Sequence, residues 1–595
     1  MKTSGFVRGT VAAALYLAAI LGLIVFMIAR EYPKVGHDYG FFIPRMLDTF
    51  LHTKVNGFAI QWYTANFGAG TPAYPNPQYL QFSLPQLSMF VINPWWALLL
   101  SLVTYSVIGF LCFYMLLRDE MGWTGPACVL GASFILANGF VVEHAIVGHV
   151  GFQHFPLLGA ILFLAFTRRL AFLPAGILIG LIVAMIVNQA GFVVLIIFVL
   201  SLFILLPLMY LLGPEMFRPR WYAAPLTGGL FAILLSLSRV SAVMAFMRFF
   251  PRMVEDEYGQ TYLEGIAGIF RQLGGFNFIT PYYLLTGTKL EELTGFFQQG
   301  LGEQYGLWEM DISLSPGLLF LLVLGLGYGI HFLFKIRPAV TWDKWIAILL
   351  LCLGIWLATD LTLAQGWLYG LVKPLPVLRS LHANVRFTSA FIYPLALLGA
   401  YVFHRVFDGT KWVGTAAFLV GLSTILLLSL YLPVPEDVHI RSFNLNSALP
   451  TYARLDTGWN FTLQNVAAIT DMQVFQQEDS NLASQDPMFG YHGEYFKPRA
   501  VVGPILAVND GYYNLTNPAG YVFPEENNLQ PFDLFREDQK ADLELFINHK
   551  QPMLAISGWQ KFADAVSILA LAGSVLYLAF ASFKGSKRLW QMNVR

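Results

Sequence analysis

Long apolar runs separated by polar segments set the pattern of this chain. The first spans residues 7 to 29, and others follow at about 94 to 117, 124 to 142, 155 to 167, 172 to 187, 191 to 213, 222 to 240, 314 to 334, 342 to 361, 386 to 403, 412 to 432 and 562 to 582. About twenty residues at 1.5 Å rise cross a hydrocarbon core of roughly 30 Å. The pattern therefore predicts an all-α polytopic membrane protein with about twelve transmembrane helices. The first run is too long for a signal-peptide core, and Ile28-Ala29-Arg30-Glu31 is a poor cleavage site, so it is expected to remain as the first helix. The stretch 172 to 213 is broken at Asn188-Gln189-Ala190-Gly191, which predicts two short helices. Asn188 and Gln189 fit either a cavity open to the outer face or ordinary interhelical hydrogen bonding.

Lys and Arg in the short loops orient the bundle. With the amino terminus inside, Arg118, Arg168, Arg169, Arg218, Arg220, Lys335, Arg337, Arg405 and Lys411 all fall on the cytoplasmic side. The large polar segments 30 to 93, 241 to 313, 362 to 385 and 433 to 561 then lie outside. This divides the chain into a transmembrane module with outer loops (1–432), an extracytoplasmic soluble domain (433–561), and a final transmembrane helix with a cytoplasmic tail (562–595). Short β-branched stretches such as Val501-Val502, followed by turn signals such as Asn517-Pro518-Ala519-Gly520, predict a small α+β fold for the soluble domain.

Composition sharpens the class. Of 595 residues, 56% are hydrophobic and 12% charged, with Lys+Arg and Asp+Glu equal at 36 each. That leaves no basic field for nucleic acid, and the charges lie in loops. The three cysteines sit inside apolar runs and read as packing residues.

The candidate chemistry is in the outer segments. Gly36-His37-Asp38-Tyr39 places an acid at the outer end of the first span, and Asp38 is the lead catalytic candidate. Residues 41 to 53 alternate apolar positions with Arg45, Asp48 and His52, as in a helix lying at the membrane interface. Gly and Pro then enforce an irregular loop from Gly68 to Gln78 that can wrap a substrate. A short outer loop carries Glu143, His144, His149 and His154, a set that can bind a metal, position a phosphate or exchange protons. Aromatics from Phe276 to Tyr283 suit the membrane interface or the face of a sugar. Glu309 stands just before a span and is the second acid. Arg379 precedes the late span and Arg386 opens it, where a forked cation suits a phosphate or carboxylate or snorkels to lipid.

The stretch from Trp62 to Gln78, the segment from Glu143-His144 to His154-Phe155-Pro156, and Arg386-Phe387 resemble the YfhO-like bacterial membrane proteins. That group in turn is similar to the GT-C superfamily of polyprenyl-phosphate-sugar-dependent glycosyltransferases. The likeness covers about residues 1 to 430. It implies a GT-C-like bundle in the bacterial inner (plasma) membrane, with its active site facing the periplasm or outside. An acid in the first outer loop is the usual base of such enzymes, and the motif maps onto Asp38 alone, since no Asp-Asp or Asp-Glu pair stands there. The resemblance further implies a polyprenyl-phosphate-linked sugar donor with its phosphate near His149 or Arg386. The acceptor would be an envelope glycan, lipid or protein, and transfer would be inverting. His37, Tyr39, Arg45, Glu143, His144, His149, His154, Arg379 and Arg386 are the expected substrate-binding residues, and a divalent cation stays open as a cofactor. The alternative is a transporter or flippase of a lipid-linked or polar envelope precursor, to which broken helices are also suited. Ionisable residues gathered at the outer ends of spans, with no internal repeat, favour the transferase.

Overall fold

The computed structural model describes residues 2–218, 221–250, 261–277, 306–336, 341–375, 384–432, 499–551 and 554–593. Between 443 and 486 it describes the stretches 443–447, 462–466 and 479–484 with a few single residues. Helices dominate. In chain order they include α1 (Lys2–Ala29), α2 (Tyr39–Asn56), α3 (Leu84–Ser88), α4 (Pro94–Met115), α5 (Gly125–Phe134), α6 (Gly139–Ile146), α7 (Leu158–Phe166), α8 (Phe172–Asn188), α9 (Phe192–Leu212), α10 (Ala223–Phe249) and α11 (Tyr262–Gly274). There follow α12 (Leu307–Met310), α13 (Pro316–Ile336), α14 (Trp342–Leu361), α15 (Ile392–Phe407), α16 (Val413–Leu430) and α17 (Gly558–Asn593).

Among the described residues, eight helices are long and apolar enough to cross a membrane. The pair α5 and α6, bent by 45° at a short break, makes a ninth if it is one span. The apolar stretches Val150–Phe166, Phe172–Asn188 and Pro316–His331 are helical but shorter. The expected twelve thus comprise eight full-length helices, one broken pair and three short helices.

Local sequence explains the breaks that matter. After α5 the chain reaches Asn138, whose side chain accepts from the Val141 amide and caps α6. The entry is crowded: a Cβ on Gly139 would come within 2.6 Å of the Asp311 carboxylate. At the α8–α9 break, Gln189 is fully buried and accepts a 2.7 Å hydrogen bond from the Tyr105 hydroxyl of α4. That residue ties helices together, the second of the two roles open to it in the sequence.

The two ends of α4 lie near Asp38 at one end and near basic loops at the other. At its start, Trp95 packs edge-on against Tyr39, the first residue of α2. Beyond its far end, Glu120 lies 3.3 Å from Arg168 and 3.8 Å from Arg218, while Asp119 pairs with Arg169 at 2.6 Å. The continuous helical stretch Pro94–Glu120 has 27 residues, about 40 Å at the helical rise. The loops carrying Glu120, Arg168 and Arg218 therefore meet at the end of α4 opposite Tyr39.

The outer segments differ from expectation in one respect. Rather than lying on the interface with an exposed polar face, α2 is enclosed, with twelve of its residues from Tyr39 to His52 buried, Arg45, Asp48 and His52 included. The cover comes from the Gly-Pro loop and the polar segment before α17. Thr516 donates its amide to the Ala69 carbonyl at 3.0 Å and Gly68 donates to Asn481 at 2.9 Å. The described part of that segment contains two three-stranded sheets. In one, Tyr512–Thr516 pairs antiparallel with both Val508–Asn509 and Leu534–Arg536; in the other, Thr462–Gln464 pairs parallel with Ser480–Asn481 and antiparallel with Gly503–Pro504.

A buried arginine secures the Gly-Pro loop from below. Arg239 of α10 is 2% exposed and donates to the Tyr74, Asn76 and Tyr79 carbonyls. Three carbonyls from one irregular loop accept from the two terminal nitrogens of a guanidinium that would otherwise be costly inside an apolar helix. Its sequence signal, one Arg inside an apolar run, is absent from the candidates above.

The junction between α2 and the tail is titratable. Asp48 is fully buried, accepts from the Gln61 and Asn66 amides, and lies 3.8 Å from His549. Burial raises its pKa to about 6 against the hydrogen bonds of Thr64, Gln61 and Asn66 and the charge of Arg45. Burial pushes His52 and His549 down to about 4. The undocked imidazoles take up protons that the docked ones refuse, so acidification from pH 7 to 5 loosens the junction. Asp48 acts in the opposite direction over that window but counts once against two. We expect backbone exchange in residues 540–551, corrected for intrinsic rate, to rise about tenfold or more at pH 5. His549→Gln should flatten the response.

Candidate active site

Asp38 immediately precedes α2 and occupies its N-cap position, where an aspartate ordinarily bonds the helix's first free amides. Its side chain makes no such bond. Instead, Oδ2 lies 3.1 Å from His149 Nε2 and Oδ1 lies 3.3 Å from His37 Nδ1. The backbone enforces this. The Asp38 amide donates to the Val147 carbonyl at 3.1 Å and the His149 amide to His144 at 2.9 Å, which sets the 144–149 turn over the start of α2. The turn hinges on Gly148, whose φ of +82° is left-handed and where a Cβ would meet the Tyr39 ring and amide at 2.7–2.8 Å. Only glycine satisfies both demands.

The carboxylate is reachable, with 27% of its side chain exposed. Burial favours its neutral form, but His149 and His37 outweigh that and hold Asp38 well below the usual carboxylate range. The positive end of α2 works in the same direction. His37 itself takes a positive φ of 51° and sets its ring edge-on to Trp308 at 4.6 Å.

The second acid serves a different partner. Glu309 on α12 forms a two-pronged ion pair with Arg386 through Nε and Nη2, and both side chains are mostly buried, at 8% and 12% exposure. Burial opposes ionisation of Glu309, but Arg386 overrides it and brings the pKa down to about 2. His144 Nε2 lies 3.9 Å from the same carboxylate. Its Nδ1 is 2.9 Å from the Phe140 carbonyl, so that ring nitrogen carries the proton and Nε2 is left as an acceptor. Phe152 joins the two halves: its ring lies 4.3 Å from His144, 5.7 Å from His149 and 5.0 Å beneath the Arg386 guanidinium.

Six candidates, His37, Asp38, His144, His149, Glu309 and Arg386, therefore converge from four separate stretches of sequence. The structure positions the others differently. Tyr39 donates its hydroxyl to the Ala145 carbonyl at 2.6 Å and buttresses the turn. Arg45 sits over the Phe41 and Phe67 rings at 3.7 and 4.5 Å and donates to the Phe41 carbonyl, away from the Asp38 cluster. Glu143 is buried within α6, and among the described contacts it makes none with the Asp38 carboxylate. His154 is fully buried, stacks on Tyr105 at 4.8 Å and approaches the Gly151 carbonyl at 3.0 Å, so it belongs to the core. An eight-residue 3-10 helix, Val150–Leu157, turns it inward. Arg379 and the aromatics beyond Asn277 lie outside the described residues. Sequence reading passed over Trp308 and Phe152, whose one signal was an aromatic beside a candidate charge.

The donor set also bears on metal binding. One ligand atom each from His37, Asp38 and His149 lie within 4.8 Å of one another, and His37 Nδ1 and His149 Nδ1 make no hydrogen bond. Two imidazoles and a carboxylate fit a borderline divalent cation.

No protein-family model matches the chain, and no curated protein does. Among solved structures, the arabinofuranosyltransferase AftD from Mycobacteria aligns at 15% identity and TM-score 0.42, over 77% of this chain and 29% of that one. An oligosaccharyltransferase from Archaeoglobus fulgidus aligns at 14% identity and TM-score 0.39, over 80% of this chain and 65% of that one. This chain thus spans less than a third of the first neighbour and just under two thirds of the second.

Proposed function

We propose that this protein is a membrane glycosyltransferase that moves a sugar from a polyprenyl-phosphate donor to an extracytoplasmic acceptor, with Asp38 as the general base. The observation that carries the reading is the Asp38 carboxylate itself, exposed at the mouth of a helical bundle and kept ionised between two imidazoles rather than used as a helix cap.

The acceptor hydroxyl attacks the anomeric carbon, the bond from that carbon to the phosphate oxygen breaks, and the lipid phosphate leaves with both electrons. The hydroxyl proton passes to Asp38, and His149, 3.1 Å away, holds the carboxylate in line. A carboxylate of low pKa suffices when the transition state has oxocarbenium character and the proton departs late. Single displacement inverts the configuration. Arg386, oriented by Glu309 and stacked on Phe152, faces the departing phosphate, while His37, Asp38 and His149 would hold a divalent cation. Such an ion would add Lewis-acid stabilisation of the leaving group.

The test is transfer by purified protein in nanodiscs supplied with radiolabelled polyprenyl-phosphate sugars and crude envelope acceptors, with and without a chelator. Label passing into an acceptor, with loss on chelation and recovery with Mn2+, supports both the reaction and the ion. Transfer unaffected by chelation rejects the ion alone. Donors left intact across the panel reject the transferase, and flipping of the same lipids is then the assay that follows.

A further inference from the structure

The helix α11 is built inside out. Its buried face is made of Gly265, Gly268, Ile269 and Gln272, whereas Leu263, Ala267 and Phe270 are exposed, Leu263 at 77% and Phe270 at 67%. At about 100° per residue, these three and the half-buried Ile266 form one apolar stripe on the side opposite the packed face. Glu264 and Arg271 border the stripe along one edge. The helix is nevertheless well made, with a capping box between Thr261 and Glu264 at its start. A surface helix in water turns its apolar stripe toward the core. This one turns it away, so the stripe needs an apolar medium outside the protein.

The neighbours of α11 identify that medium. Gly265 packs so closely on the segment after α14 that a Cβ there would come within 2.5 Å of Leu363 and Ala364. Tyr262 interacts with Trp356, which lies in the last two turns of α14. That helix is of membrane length, and it presents Leu349, Leu350 and Leu353 outward at 68%, 47% and 44% exposure. The stripe therefore sits at the level where α14 leaves the hydrocarbon. Because α11 also packs against the turn Asn384–Phe391, which carries Arg386, this is the Asp38 end of the bundle.

We propose that α11 is an in-plane membrane anchor, with Leu263, Ile266, Ala267 and Phe270 immersed in the acyl region of the leaflet on the Asp38 side and with Glu264 and Arg271 at its polar border. The proposal does not depend on sugar transfer. It also fixes a level for the candidate site. At the far end of α11 the Leu314 amide donates to the Leu273 carbonyl and the Phe276 amide to the Ser313 hydroxyl, both at 2.9 Å, which ties the segment after Glu309 to the anchor.

The test uses the unaltered full chain in nanodiscs. One sample contains a phospholipid with a photoactivated diazirine on its acyl chain, the other is exposed to hydroxyl radicals in the water, and adducts are mapped by mass spectrometry. Leu349 and Leu350 serve as the hydrocarbon control, and the exposed pair Lys540 and Glu544 as the aqueous one. Leu263 and Phe270 are expected to take up carbene as Leu349 and Leu350 do and to escape oxidation. Oxidation of the stripe at the level of Lys540, with or without lipid adducts, overturns the proposal, because the face then meets water. Labelling by neither reagent overturns it as well, because protein then covers the face.

Discussion

Replacement of Asp38 by asparagine is expected to reduce sugar transfer by about a thousandfold or more while the protein still folds and inserts. The size follows from what the change removes. Asparagine keeps the shape and can still meet His149 and His37, but it takes up no proton and offers no negative charge, and loss of a positioned base costs about 10² to 10⁴ in rate. The fold should survive because the side chain caps nothing: the α2 start is tied down by the Asp38 backbone amide and carbonyl, which bond Val147, Phe41 and Phe42. Initial rates in nanodiscs, with thermal unfolding of the same preparation, separate the two effects. Wild-type rates in Asp38→Asn would remove Asp38 from the chemistry.

The second large effect concerns Glu309 and Arg386. Removing either side chain deprives the other's buried charge of its two-pronged ion pair, at a cost of about 3–5 kcal/mol. Glu309→Ala and Arg386→Ala are therefore expected to unfold at markedly lower temperature than wild type. The double replacement Glu309→Leu with Arg386→Met removes both charges and fills the space, so most of the stability should return. Under the proposed function, transfer should not return with it, because the cation assigned to the donor phosphate is gone. A double variant that recovers both properties would make the pair purely architectural. Glu309 cannot act as an acid in this arrangement, since a carboxyl held at about 2 by Arg386 carries no proton to give near neutral pH.

Much of the fold was legible because apolar length is a local property. Each membrane-length helix among the described residues coincides with an apolar run, and the break near 188–191 follows from the interruption at Asn188-Gln189-Ala190-Gly191. The site was partly legible for a related reason. Asp38, His149, Glu309 and Arg386 are ionisable groups at the outer ends of apolar runs, where burial is costly without a partner or a task. Periodicity misjudged α2, because an alternating polar and apolar helix reads the same whether its polar side meets water or another part of the protein. Asp48, His52 and Arg45 look exposed in sequence and are enclosed by residues 61–67 and by a tail segment some five hundred positions away.

The sequence by itself thus determined the helical, apolar class of molecule and the position of most spans, and it put forward Asp38 as a candidate, since hydropathy and charge act residue by residue. Only the tertiary structure decided which charges meet. Asp38 with His149, and Glu309 with Arg386, are pairings 111 and 77 positions apart, and no spacing rule reaches across a bundle. Their registration draws on the left-handed turn at Gly148 and on the capped start of α6 at Asn138, while the guanidinium of Arg239 secures the Gly-Pro loop. Gly148 and Arg239 act through contacts distant in sequence, which is why the same residues read in order are a set of candidates and in space are a cluster.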